Sequence, residues 1–297
     1  MSIRNVVLIG AGGNLGPAIL NALVTSPHGY TVSVLSRESS SYQAPAGVKL
    51  LKTDYSHDSL VHALQGQDAV VSAIAGHALL DQIKVIDAAI AAGVKRFIPS
   101  EFGSNTSNAV ARQRFPPWSQ KDQVRKYLES KQDQIEWTVI YNGFFFDWAL
   151  KVGFAGFSIP EHKATIYTKY KDVTFSATTL DTVGRAVAQT LAPAIAPKTA
   201  NKILRVRSVT TSQSAILAAF EDVTGKKWTI DEVDLDAEVK EAEERLQQGD
   251  FSGAGKLIYG ANLDERTEND WDRKGEVSNA VLELPDEDLK TIIKSVL

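Results

Sequence analysis

VVLIGAGGNLGPAIL, residues 6–20, is a continuous apolar run that breaks into glycines and then resumes with helical spacing. Gly10, Gly13 and Gly16 stand three residues apart at the junction. A strand that turns sharply into a helix needs glycine at the turn. It needs a second glycine where the backbone meets a pyrophosphate, and a third where helix packs on strand. The helix N-terminus then offers free N–H groups to an anion. Gly10, Gly12, Gly13, Asn14, Leu15 and Gly16 are therefore expected to cradle a dinucleotide.

Working outward, the first half alternates β-rich and amphipathic stretches. Strands are expected over 5–11, 30–37, 48–55, 68–76, 94–103 and 135–145. Helices are expected over 16–27, 56–66 (with Ser56 as N-cap), 79–93 and 119–131. Strands alternating with helices imply parallel pairing with helices on both faces, and unbroken apolar strands fit a sheet covered on both sides. The expected fold is α/β, a Rossmann-type doubly wound parallel sheet. Beyond about residue 150 the rhythm changes to a polar β-rich stretch (163–180), a helix (180–192), a strand (202–208) and a mostly helical tail. We expect a nucleotide-binding domain over 1–155. A smaller α/β substrate-binding part over 156–297 partly returns to the sheet.

Composition narrows the function. The 297 residues carry a net charge of −4, are 43% hydrophobic and include no cysteine. That excludes disulfides, zinc–thiolate sites and cysteine nucleophiles, and it argues against nucleic acid or an acidic membrane as partner. The five histidines are scattered, so no metal is expected. The N-terminal apolar run is too short for a secretory signal, and no stretch is long enough to span a bilayer. The expected setting is cytoplasmic, as monomer or homodimer.

Further cofactor contacts follow from the rule that ligands line the carboxyl ends of such strands. The second strand ends in Ser36 and Arg37, where an acidic residue would favour NADH. A planar guanidinium clamps a 2′-phosphate instead, so NADPH is expected. Asp54 and Tyr55 close the third strand, within reach of an adenine. Ala73, Ile74 and Ala75 close the fourth, small enough for a ribose to lie against. Ser100, Glu101 and Phe102 follow the fifth and should face the nicotinamide, as should Asn142 and Phe144 after the sixth. Capping a backbone N–H is the other role open to Glu101.

The stretch PPWSQKDQVRKYLESKQ, residues 116–132, poses the catalytic question. Tyr127 and Lys131 have the Tyr-x-x-x-Lys spacing of short-chain dehydrogenases. In that pattern the lysine precedes the end of the next strand by about twenty residues, and counting back from Tyr141–Asn142 reaches Lys121. Lys121 opens the helix near the strand carboxyl ends; Lys131 lies at the helix's far end. Pro117 holds the place of the missing tyrosine. This arrangement resembles the isoflavone reductase-like family, which includes phenylcoumaran benzylic ether reductase, within the NmrA-like group of atypical short-chain dehydrogenases. The residues that carry the resemblance are the Gly10–Gly16 loop, Arg37, SAI at 72–74, Gln82, FIPSEFG at 97–103, KDQVRKYLE at 121–129, NGFF at 142–145 and TTLDTVGRAV at 178–187. The resemblance implies that Lys121 is catalytic and that Gln82 belongs to the cofactor site. A lysine pressed between cofactor and apolar substrate is desolvated and exchanges protons near neutrality; ribose binding alone is the other role open to it.

Aromatic residues crowd 142–157. Phe102, Trp118 (at the tip of a substrate-side loop), Phe145 and Trp148 are expected to meet a flat, apolar substrate, although most of the aromatics in this stretch serve equally well as core. The expected function is NADPH-dependent reduction of a small aromatic substrate, with Lys121 managing the proton. Two other readings use the same crevice: a dinucleotide sensor without turnover, and an isomerase or epimerase that returns its hydride.

Overall fold

The computed structural model describes residues 3–74 and 76–297. Seven parallel strands form its central sheet: β1 (Asn5–Ile9), β2 (Thr31–Arg37), β3 (Lys49–Thr53), β4 (Ala69–Ser72), β5 (Arg96–Ile98), β6 (Glu136–Tyr141) and β7 (Lys202–Arg205). Their spatial order is β3-β2-β1-β4-β5-β6-β7, so the winding reverses between β1 and β4. In a doubly wound sheet, that reversal is where a crevice opens outside the carboxyl ends.

Side chains on a strand alternate in direction, and β1 shows it. Val6 and Leu8 join one core cluster, Val7 and Ile9 the other. The first face is covered by α1 (Gly16–Val24) through Ile19, Leu20 and Leu23. The second is covered by α2 (His57–Leu64), α3 (Asp81–Ala91) and α5 (Ser119–Ser130), which contribute Leu60, Val85, Ile86, Val124 and Leu128. A short α4 (Ala109–Arg114) precedes α5, and α6 (Phe146–Lys151) follows β6. The next helix, α7 (Leu180–Thr190), lies beside α1 on the first face. A Cβ on Gly184 would stand 2.5 Å from the Ala18 carbonyl, so only glycine permits this crossing. Through α7 and β7 the chain beyond residue 155 is built into the sheet layer.

The strands are shorter than the apolar runs suggest. β5 stops before Pro99, which has no N–H to continue a ladder. β6 stops at Tyr141, and Gly143, with φ +62°, redirects the chain. Phe144–Phe145 then pairs with Phe175–Thr178, in a separate three-stranded sheet completed by Val209–Thr211. A second small sheet joins Phe157–Ser158, Lys163–Ile166 and Thr229–Glu232. Helices Gln213–Thr224, Leu235–Gln247, Ala254–Leu263 and Leu289–Val296 complete this part. Its core is aromatic, with Phe144, Phe146, Phe157, Phe175, Phe220, Trp228 and Tyr259 all buried. Trp271 is fully buried and anchors the tail against the α5 side of the sheet, in the cluster that also holds Tyr141. Among the described residues no helix is long and apolar enough to cross a membrane.

Candidate active site

The glycine loop has the geometry its spacing implies. Gly10 has φ +87°, and a Cβ there would lie 2.6 Å from the Ala73 carbonyl. A Cβ on Gly16 would lie 2.3 Å from the Gly10 carbonyl, so the start of α1 sits directly on the turn. Gly12, Gly13 and Asn14 are exposed, while Leu15 and Gly16 are buried. No side chain caps the first turn of α1, which leaves its N–H groups to an incoming anion. Tyr42 packs its ring against Gly12, a neighbour that spacing in sequence does not disclose.

Arg37 ends β2 half-exposed. Its guanidinium carbon stands 5.6 Å from the centre of the Tyr55 ring, and one nitrogen is 3.8 Å from Asp81 on α3. Tyr55 itself has φ +65°. Asp54 is exposed; one carboxylate oxygen accepts from the Ser56 N–H at 2.8 Å, and the Ser56 hydroxyl, with this N–H second, holds the carboxyl below its usual range. The Ser36 hydroxyl donates to the Arg37 carbonyl. This corner therefore presents a guanidinium on an aromatic ring, the pairing that a 2′-phosphate beside an adenine would use.

After β4, Ala73 and Ile74 are half-buried, and Ala75 lies outside the described residues. The Ser100 hydroxyl donates to the Ile74 carbonyl, and the Ser100 N–H donates to Gln82 Oε1 at 2.8 Å. Gln82 is buried, and its amide nitrogen donates to the Leu79 carbonyl. Its carboxamide thus ties α3 to the loop after β5. Asn142 is buried too. Its N–H donates to the Gly103 carbonyl at 3.0 Å, and its own carbonyl accepts from Thr178 at 2.6 Å.

Three buried oxygens at neighbouring carboxyl ends lack a partner among the described residues: Ser72 Oγ after β4, Glu101 Oε1 after β5 and Asn142 Oδ1 after β6. Buried polar atoms are normally bonded, and groups left open in a crevice are what a polar ligand would satisfy. With the exposed glycine loop and Arg37, these atoms fit a dinucleotide running from the β2 edge toward β6.

The two lysines part company. Lys121, in the first turn of α5, donates its ammonium to the carbonyls of Glu101 (3.1 Å) and Phe102 (3.3 Å), at the carboxyl end of β5. Burial lowers its pKa, and the nearby Glu101 charge opposes the change. Glu101 is 1% exposed; Oε2 accepts from the Thr106 hydroxyl at 2.6 Å, and that hydroxyl lies 3.1 Å from the Tyr141 hydroxyl. Burial pushes the Glu101 carboxyl up to about 7, against the pull of Lys121 and Thr106. Burial and the Glu101 charge push the Tyr141 hydroxyl up to about 12. Lys131 closes the far end of α5, over the Tyr127 ring. Tyr127 donates its hydroxyl to Asp87 on α3, and that bond, with burial, raises its pKa to about 12.

The aromatic candidates divide as well. Phe102 and Phe145 belong to the packed cluster that holds Leu15 and Ala73, next to the glycine loop. Phe144 is enclosed by Phe154, Phe175 and Tyr259 at ring separations of 5.3–5.7 Å, so its ring serves the second core. Trp148 is half-buried, 6.0 Å from the Phe154 ring. Trp118 is not at a loop tip. It sits in a short 3-10 turn, 7% exposed and edge-on to Phe115, in a cluster with Ala111, Leu257 and Ala261. Pro116 and Pro117 start that turn and aim the indole inward.

Sequence reasoning missed the polar seam that holds the loop after β5. Ser104 bonds Asn262, the Asn105 N–H donates to Asn269, and Arg114 donates twice to Asp264, at 2.9 and 3.0 Å. These partners lie about 150 residues apart, and no local period announces them.

Residues 3–249 match the family model described as the NmrA-like family. The chain belongs to the NmrA-like family. A curated relative, oxidoreductase aprR of Aspergillus flavus, is 38% identical, with all of this chain and 99% of the relative covered. Among solved structures, one from a study of pinoresinol-lariciresinol and phenylcoumaran benzylic ether reductases superposes at TM-score 0.81 with 21% identity, covering both chains fully. Another, AtPrR2 with NADP+ and (+)pinoresinol, gives TM-score 0.76 at 22% identity, again over both full chains. The fold of this NmrA-like protein is therefore that of the isoflavone reductase-type structures.

Proposed function

We propose that this NmrA-like protein is an NADPH-dependent oxidoreductase that reduces a small aromatic substrate, with Lys121 as the proton-handling residue. One observation carries the reading: the Lys121 ammonium is seated on the Glu101 and Phe102 carbonyls after β5, on the carboxyl side of the sheet where the glycine loop and Arg37 also lie. The oxidoreductase name of the Aspergillus flavus relative and the NADP+ complex among the structural neighbours support it. Bound NADPH would supply the hydride. Gly10, Gly13 and the start of α1 would hold its pyrophosphate, and Arg37 its 2′-phosphate. Asn142 and Ser72 offer open oxygens toward the nicotinamide end. Phe145, Trp148 and Phe102 supply apolar surface for a flat ring, and the pinoresinol complex among the neighbours is consistent with such a substrate. Lys121, partly desolvated, gives a proton to the anion left by hydride transfer, and the scaffold contributes orientation.

The test follows NADPH absorbance with a panel of aromatic enones, benzylic ethers and lignan-type substrates. Oxidation abolished by Lys121→Ala and kept by Lys131→Ala supports the reading. Tight NADPH binding with no oxidation across the panel replaces it with a dinucleotide sensor, and product without net NADPH loss replaces it with an isomerase.

A further inference from the structure

Glu101 is a carboxyl group with no neutralising contact of its own. No ion pair reaches it within 4 Å among the described residues; its bonded neighbour is the Thr106 hydroxyl, and Oε1 is buried and open. Yet its main chain carries the Lys121 ammonium, so side-chain charge and lysine are held in one fixed relation by a single residue.

We propose that Glu101 is a positioning residue for Lys121: its buried side-chain charge sets the protonation state of the lysine, and Thr106 sets how much of that charge is present. This rests on the function proposed above and extends it to a second residue. The groups that face Glu101 are few. Lys121, Asp122 and Arg125 come from α5, Tyr141 from β6, and Thr106 from its own loop. Arg112 on α4 donates to the Thr106 carbonyl at 2.6 Å and so fixes the hydroxyl's place. Arg125 is bonded to Asp122 and Glu129, and Lys126 also reaches Asp122, at 2.8 Å. The α5 charges are thus largely matched among themselves. Glu101 is the charge that acts on Lys121 against its burial. A carboxylate on the residue that seats the ammonium favours it, and an uncharged side chain does not. When Lys121 gives a proton to substrate, the amine that remains takes one back from water, and the Glu101 carboxylate favours that return.

The measurement needs no substrate. The intact protein is labelled with trace acetic anhydride from pH 6 to 10, and the Lys121 peptide is followed by mass spectrometry. The half-labelling pH reports the titration of Lys121. Glu101→Gln, which keeps an acceptor for Thr106, is expected to lower that pH by about one unit. Thr106→Val removes the bond that favours the carboxylate and is expected to lower it in the same sense by less. A Lys121 titration unmoved in both variants overturns the proposal and leaves Glu101 a packing residue. If Glu101→Gln fails to fold, Thr106→Val decides alone. A panel with no NADPH oxidation would defeat the reductase reading and leave this titration intact, so the two failures are distinguishable.

Discussion

The two edges of the central sheet handle charge in opposite ways. At the amino edge, Arg96 is 1% exposed and fully engaged: it donates to Glu136 (2.6 and 3.2 Å), to Thr138, to Thr199 and to the Ala196 carbonyl. That cation holds β5, β6 and the segment before β7 together. At the carboxyl edge, Ser72, Glu101 and Asn142 keep open oxygens, and Lys121 rests on two carbonyls. Helix α5 runs between the edges, and Lys121 in its first turn and Lys131 at its C-cap, ten residues or about 15 Å apart, fall one on each side. A cation with every donor used, as in Arg96, is architecture. An edge with open valences in a crevice is where a ligand completes the structure.

The contrast is most directly broken by exchanging lysines. Lys121→Ala is expected to cut NADPH oxidation by about a hundredfold or more, the usual range for a lost proton donor. Lys131→Ala should stay within about twofold. Equal losses in steady-state assays of both variants would erase the distinction between the edges.

Stability against pH sharpens it next. The folded Glu101 carboxyl holds its proton up to about 7, above the ordinary 4.5. Between those values the native state binds more protons than the unfolded one, so this group makes stability fall as pH rises from 4.5 to 7, levelling above. Glu101→Gln removes the decline. Its gain over the parent in urea melts should grow from pH 5 to pH 8 by on the order of 3 kcal/mol, and a constant difference would contradict the burial argument.

A smaller effect belongs to the cofactor corner. Arg37→Ala should lower the preference for NADPH over NADH by about tenfold, one charge-assisted contact's worth, read from the ratio of the two dissociation constants. An unchanged ratio would move the 2′-phosphate away from β2. The smallest change lies at the amino edge: Tyr127→Phe deletes a half-buried bond to Asp87 and should cost about 1 kcal/mol of stability with NADPH oxidation intact.

The sheet was legible in the sequence because buried parallel strands must be apolar throughout, and NVVLI or AVVS leave no other reading once glycine turns and amphipathic helices separate them. The glycine loop was legible for steric reasons that Gly10 and Gly16 make explicit. Counting along α5 separated the lysines because a helix fixes distance per residue. What escaped lies across long sequence separations. Nothing local joins Thr106 to Tyr141, or Asn105 to Asn269. Trp118 looked like a loop residue beside two prolines, but those prolines start a turn that buries it. In 142–157 the density of aromatics is plain, yet Phe144 and Phe157 fill the second core while Phe145 and Trp148 stay partly open. Composition does not distinguish a ring that packs from one that waits.

The crossing of α1 and α7 at Gly184 carries one more consequence. The helix that follows the glycine loop is wedged, at Ala18 and Gly184, against a helix drawn from the other half of the chain. A displacement of the first helix would meet the second, and α7 leads on to β7 of the same sheet. Neither helix can shift along the other at this crossing without a clash, so the two halves of the chain share one packed layer.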